Sequence, residues 1–301
     1  MVIMEQAVSL VAPAPLPAAG GAAVAVALVA DAMDYGRLRA VGLLGPADYG
    51  RYLREAERQL RGIDGHGVAV HLRVLEPVDY LDYCTVRGLR PGAPAARVAY
   101  AADPQLAGEP FVYAGQRMAQ LLPALVDDHL ARVRLTVALA ELAGRPGARA
   151  AVRVAERLYD DLLSGLGEGR HRLLLRWARA EQRQVVEHEA CVAGGRRVAG
   201  ERQAEAFRAL LAAGLASGAR GELLTASTGP ARSRAAPCHT VRGWRLACGG
   251  LAPLAVEELR VLLARLPDRR AGLVRPGCGP VRIRAGFRLG RGSGVSLGAG
   301  G

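Results

Sequence analysis

The hydrophobic pattern opens, at residues 22–30, with a run that is apolar at every position and has Val24 and Val26 alternating, the pattern of a strand covered on both faces. A second strand is expected at residues 38–44. Gly45-Pro46 then opens a helix with Tyr49, Tyr52, Leu53, Ala56 and Leu60 on one side and arginines and glutamates on the other. Gly65 and Gly67 end it, residues 68–75 read as a strand, and Glu76-Pro77 starts a short helix carrying Tyr80, Tyr83 and Cys84. A further strand fits either residues 96–101 or residues 110–113. This alternation predicts an α/β N-terminal domain with a small, mostly parallel sheet over residues 21–145.

A long helical stretch follows, with Val126, Leu130, Val133 and Val137 as its apolar stripe and Pro123 as a start or kink. Gly144, Pro146 and Gly147 mark a boundary. Helices are then expected near residues 151–163 and 170–191, joined at Gly165-Leu166-Gly167-Glu168-Gly169, which makes residues 148–192 a helical hairpin. From residue 193 short apolar runs alternate with Gly, Ser and Pro, which predicts an α+β C-terminal region over residues 193–289. Its helices are expected at residues 201–216 and 253–266, and its strands at 223–226, 241–248, 271–274 and 281–289. Residues 1–20 read as a flexible lead and residues 290–301 as a disordered tail, and no internal repeat is present.

Composition changes this picture in one respect. All 40 basic residues are arginine, with no lysine and no asparagine, as codon bias in a GC-rich genome produces, so the net charge of +12 is weak evidence by itself. Its distribution is more informative. Residues 1–150 carry 15 arginines and 15 acids, residues 151–200 carry 9 and 7, and residues 201–301 carry 16 and 6. The excess therefore lies in the last third, where Val281-Arg282-Ile283-Arg284 alternates apolar and basic and puts Arg282 and Arg284 on one face. Arg269, Arg270, Arg275, Arg288 and Arg291 complete a candidate nucleic-acid or anion-binding set, because a guanidinium donates two parallel hydrogen bonds to a phosphate. The bland alternative is a solvated sheet face. Phe207, Trp244 and Phe287 are the only aromatics of that third, too few for a stacking platform, and no helix-turn-helix, RNA-recognition or zinc-finger signature is legible.

Other constellations carry less. Cys238, His239, Cys248 and Cys278 are zinc-ligand types without zinc-site spacing, and adjacent Cys and His in a strand point opposite ways, so no metal is expected. His188 and Cys191, about one turn apart on the expected helix, are half a site. Asp127-Asp128-His129 are helical neighbours about 100° apart and cannot aim at one ion. Cys84, with His66 and His71 nearby in sequence, shows neither a base nor an oxyanion donor. The Gly165-x-Gly167-x-Gly169 run joins two expected helices rather than following a strand, and reads as a turn. Neither catalytic residues nor cofactors are expected.

Glu5 stands where an export signal carries positive charge, and five cysteines make an odd, sparse set, so a reducing cytoplasm is the expected home. The stretch at residues 7–30 has three prolines and a Gly-Gly pair, against the about 20 apolar residues of a membrane span, and no membrane role is expected.

Over residues 45–115, the segments Tyr49-Gly50-Arg51-Tyr52-Leu53-Arg54-Glu55-Ala56-Glu57, Leu75-Glu76-Pro77-Val78-Asp79-Tyr80-Leu81-Asp82-Tyr83-Cys84, Gly88-Leu89-Arg90-Pro91-Gly92 and Arg97-Val98-Ala99-Tyr100 resemble a family of uncharacterised actinobacterial proteins of the Streptomyces type. The resemblance implies an intracellular bacterial protein and supplies neither an activity nor catalytic residues. The expected function is regulatory or binding, with the C-terminal arginines contacting nucleic acid or an acidic protein. Two rivals are an enzyme with a pocket near Glu76, Asp79 and Cys84, where α/β sheets place ligands, and a structural subunit that oligomerises through its helices.

Overall fold

A computed structural model describes residues 23–103, 111–179, 182–197, 200–228, 239–247, 249–265, 273 and 281–290. The chain divides into two compact units, Met1–Leu130 and Ala131–Gly301.

The first unit is α/β, as the strand and helix alternation predicts. Strand β1 (Ala23–Leu28) leads through helices α1 (Ala32–Ala40) and α2 (Tyr49–Gly65) to β2 (Ala69–Val74). The two strands are parallel, Ala23 opposite Ala69 and Leu28 opposite Val74. Helices α3 (Pro77–Arg87) and α4 (Pro94–Ala102) precede β3 (Phe111–Val112), which pairs antiparallel with β2. Every residue of β1 is buried, because both sheet faces are covered. Val24, Val26 and Leu28 pack with Ala56 and Leu60 of α2 and with Leu121 and Leu125. Ala25, Ala27 and Val29 face Tyr35, Tyr80 and Tyr100. Three helices start on acidic caps: Asp31 accepts from the Met33 N–H, Asp48 from Arg51 N–H and Glu76 from Asp79 N–H.

One expectation fails here and one open choice is settled. Residues 38–44 are the end of α1 and a turn, since Asp31 caps a helix that the apolar spacing of Leu38, Val41 and Leu43 disguised. Of the two alternatives for a further strand, residues 96–101 belong to α4, which Pro94 initiates, and Phe111–Val112 is the strand.

Helix α5 (Met118–Leu142) crosses the division between units and carries Pro123 within it. Its expected stripe is not its buried side: Leu130 and Val133 are 40% and 46% exposed, whereas Leu121, Leu125, Ala131 and Ala138 are buried. Nearly every turn offers apolar residues on two sides, so spacing alone could not choose.

The second unit continues with α6 (Ala148–Leu166), β4 (Gly169–Arg179), β5 (Gln182–Ala193), β6 (Arg196–Arg197), α7 (Glu201–Ala216), β7 (Arg220–Thr228), β8 (His239–Ala247), β9 (Gly250–Pro253), α8 (Val256–Ala264) and β10 (Val281–Ile283). The strand order is β10-β8-β7-β4-β5-β6. Strand β9 pairs with Trp244 to Ala247 and β10 with His239 to Val241, so the two share the outer edge of β8 end to end. The helical hairpin expected over residues 148–192 is corrected: its first half is α6, and its second half is the antiparallel hairpin of β4 and β5. His171, Leu173, Leu175 and Trp177 alternate with Arg170, Arg172 and Arg176, a period of two. Leu174, Trp177, Val185 and His188 fall at helical spacing only by coincidence.

Alternation divides the sheet. Leu173, Leu175, Trp177, Leu223, Trp244 and Leu246 lie under α6 and α7 in the unit's main core. Leu174, Leu224, Ala226 and Val241 face the other way, toward Leu259 and Leu263 of α8. Strand β10 is shorter than the expected 281–289, because residues 284–290 continue without pairing as a strand. The flexible lead, the strand expected at 271–274 apart from Leu273, and the tail beyond Gly290 lie outside the described residues.

Candidate anion-binding site

The described members of the arginine set, Arg282, Arg284 and Arg288, lie in and just after β10, on the outer edge of the second sheet. Register places Arg282 of β10 beside Thr240 of β8, which pairs with Ser227 of β7, which pairs with His171 of β4. Paired residues share a sheet face, so these four form one polar rung on the α6 and α7 side. The next rung runs Leu173, Thr225, Arg242. The segment after β10 is fastened across the edge: Arg284 N–H donates to Val241 O at 2.9 Å, Gly286 N–H to Leu254 O at 3.1 Å and Gly290 N–H to Asp161 Oδ2 at 2.9 Å. Phe287 is locked from both sides, its carbonyl accepting from Trp244 Nε1 and its ring resting on Gly165, where a Cβ would stand 2.2 Å from a ring carbon.

Arg282, Arg284 and Arg288 are exposed. Arg269, Arg270, Arg275 and Arg291 lie outside the described residues. Arg242, which the arginine pattern of the sequence did not single out, is half-buried, with its guanidinium carbon 5.8 Å from the Phe287 ring centroid. Burial, and then the nearby Arg284 charge, lower its pKa from the usual guanidinium value. The signal for Arg242 was present: it stands two residues before Trp244 and so shares the covered face.

Among the described residues, Arg242, Arg282, Arg284 and Arg288 have no carboxylate partner. On the opposite face the arginines are matched: Arg172 with Glu189 at 2.5 Å, Arg176 with Glu222 at 2.7 Å and Arg245 with Glu258 at 3.0 Å. Beside Arg242, Thr225 is fully buried and its hydroxyl has no hydrogen-bond partner. Leaving such a group unsatisfied costs about 1–3 kcal/mol. His171 is satisfied. Its Nε2 lies 2.8 Å from Gly167 O, which can only accept, so Nε2 carries the proton and Nδ1 accepts from the Ser227 hydroxyl at 3.0 Å. Burial lowers the His171 pKa, with the Gly167 carbonyl opposing.

The other candidates have structural roles or lie elsewhere. Cys84 is fully buried among Tyr80 and Tyr100, and burial raises its thiol pKa, with the Tyr80 hydrogen bond opposing. Asp79 accepts from the Tyr100 hydroxyl at 3.1 Å, and Glu76 caps α3. His188 is buried in the core of the second unit, while Cys191 alternates to the opposite face of β5. Asp128 is buried, and Asp127 is exposed on the same helix. His239 Nδ1 bonds the Thr228 hydroxyl at 3.1 Å, and Cys238, Cys248 and Cys278 lie outside the described residues. Among the described residues no group of three His, Cys, Asp or Glu side chains could hold a metal, and no helix is long and apolar enough to cross a membrane.

A family described as a domain of unknown function (DUF8829) matches residues 18–116. No curated protein and no solved structure matches the chain. The family match covers most of the first unit and none of the candidate anion-binding residues, which all lie beyond residue 116.

Proposed function

We propose that this chain is a binding protein whose second unit holds nucleic-acid phosphates along the β10 edge of its sheet. The observation that carries the reading is the set of exposed guanidiniums of Arg282, Arg284 and Arg288 beside Arg242, without a carboxylate partner among the described residues, on an edge fastened by backbone hydrogen bonds. Arginines that only solvate a face would be expected to pair with acids as Arg172, Arg176 and Arg245 do. The charge division supports it, since 16 arginines meet 6 acids in residues 201–301. The reading requires a compartment that holds nucleic acid, and a cytoplasmic protein has access to it. Glu76, Asp79 and Cys84 give an enzymatic reading no support, because each is engaged in capping, a tyrosine hydrogen bond or core packing.

The test is fluorescence anisotropy of the full chain with random DNA and RNA across a salt series. Counterion release gives a log–log slope of about −0.7 to −0.9 per phosphate neutralised. The triple variant Arg282→Gln, Arg284→Gln, Arg288→Gln is expected to flatten that slope by about 2–3. Absence of binding at low salt, or an unchanged slope in the variant, refutes the reading. Stronger binding to poly-glutamate than to either nucleic acid also refutes it and assigns the edge to an acidic protein.

A further inference from the structure

Strand β6 closes the far end of the second sheet, but it meets only Val192 and Ala193 of β5. Among the described residues no strand pairs with the outer edge of β5 before them. The turn into β6 fixes which residues that edge presents. Gly194 and Gly195 have positive φ, 58° and 70°, as a two-residue hairpin turn requires, so Ala193 and Arg196 exchange their backbone hydrogen bonds. Backbone direction alternates along a strand, so Cys191, Glu189, Glu187, Val185 and Arg183 also turn their N–H and C=O groups outward. The residues between them bond to β4. The side chains of the outward set stand on the sheet face opposite the buried Val186, His188 and Ala190.

Such an edge is a template for another strand unless something blunts it. Neither a proline nor a bulge does so in β5, whose register with β4 runs unbroken from Val192 opposite Gly169 to Gln182 opposite Arg179. Its charges are of both signs. Arg183 and Glu187 are exposed, and neither has an ion-pair partner among the described residues. Between them Val185 is 39% exposed. Antiparallel pairing of this edge with itself about Val185 sets valine against valine and each Arg183 opposite the other copy's Glu187, which opposite charges favour. The edge is thus self-complementary, as an interface between identical copies on a two-fold axis must be. Centring on Glu187 would set like charges face to face, and centring on Val186 would offer Arg183 a Glu189 that Arg172 already holds at 2.5 Å.

We propose that the 183–187 edge of β5 docks antiparallel on the same edge of a second copy, joining two sheets into one across a two-fold axis at Val185. The two β10 edges then lie at opposite ends of the joined sheet, so the dimer stands or falls independently of what they bind.

The experiment is light scattering on the full chain as it elutes from a sizing column, over a concentration series. A mass rising toward that of two chains is expected. Val185→Pro removes an outward N–H without touching the bonds to β4 and is expected to give a monomer. Arg183→Glu and Glu187→Arg each set like charges face to face, and each is expected to weaken the dimer by about tenfold or more. Mixing those two variants restores opposite charges at both ends and is expected to recover the wild-type affinity. Both side chains are exposed, so the charge variants decide the matter even where Val185→Pro fails to fold. A wild-type chain that stays monomeric at the highest concentration overturns the proposal. A dimer that survives Val185→Pro in a folded chain uses another surface and overturns it too, as does a mixture of charge variants no tighter than its components.

Discussion

The indole N–H of Trp244 donates to the Phe287 carbonyl at 2.8 Å while the two rings meet edge to face, 5.1 Å between centroids. This pairing ties residues 284–290 to β8 and fixes where Arg284 and Arg288 emerge. The fastening needs a residue without a side chain at 286. A Cβ there would sit 2.5 Å from Gly243 O and 3.0 Å from the Pro253 Cβ, and neither atom can move without its backbone.

Gly286→Ala is therefore expected to destabilise the second unit by roughly 1–3 kcal/mol, as overpacking against backbone does. It also displaces Arg284 and Arg288. A lower urea midpoint together with a flatter salt slope in nucleic-acid binding checks both consequences. An unchanged midpoint would show that the segment does not lie against Gly243.

His188 predicts an acid-sensitive core. It is buried against Tyr159, whose hydroxyl lies 2.8 Å from its Nε2, and Nδ1 has no partner. Burial first, then repulsion by Arg208, with Glu189 opposing, push its pKa from 6.5 down to about 4. Between those values the unfolded chain binds the proton and the folded chain does not, so stability falls as pH falls. The loss is about 3 kcal/mol once the pH is below 4. His188→Leu should flatten the unfolding free energy over that window, and an equally steep profile in the variant would count against this origin.

Tyr52 supplies the acceptor for the buried Val29 N–H at 2.9 Å, at the end of β1. Tyr52→Phe keeps the ring and strands that donor, at a cost of about 1–3 kcal/mol. Chemical denaturation of the variant measures it. Faster exchange at the Val29 amide should accompany the loss.

The two described cysteines differ in access. Cys84 is fully buried with its thiol pKa raised, and Cys191 is half-buried. Site-resolved mass spectrometry after brief alkylation of the native protein is expected to find Cys191 modified and Cys84 intact until denaturant is added. Early labelling of Cys84 would reveal an opening in the first unit's core.

The sequence by itself determined what local chemistry determines. The apolar run in β1, the Gly45-Pro46 opening toward α2, the Glu76-Pro77 start of α3 and the helix at 201–216 each carry their own signal in caps, breakers and period. The concentration of arginine beyond residue 200 was equally legible, because counting needs no fold. Tertiary structure alone decided the rest. Residues 169–193 satisfy a helical stripe and a strand alternation together, and the neighbours β7 and α6 select the strand. Val126, Leu130, Val133 and Val137 are as apolar as the residues that α5 buries, and only packing partners distinguish the two sides. Arg242 and Arg284 are far apart along the chain. The hydrogen bond from Arg284 N–H to Val241 O brings them together, so no spacing in the sequence could have grouped them.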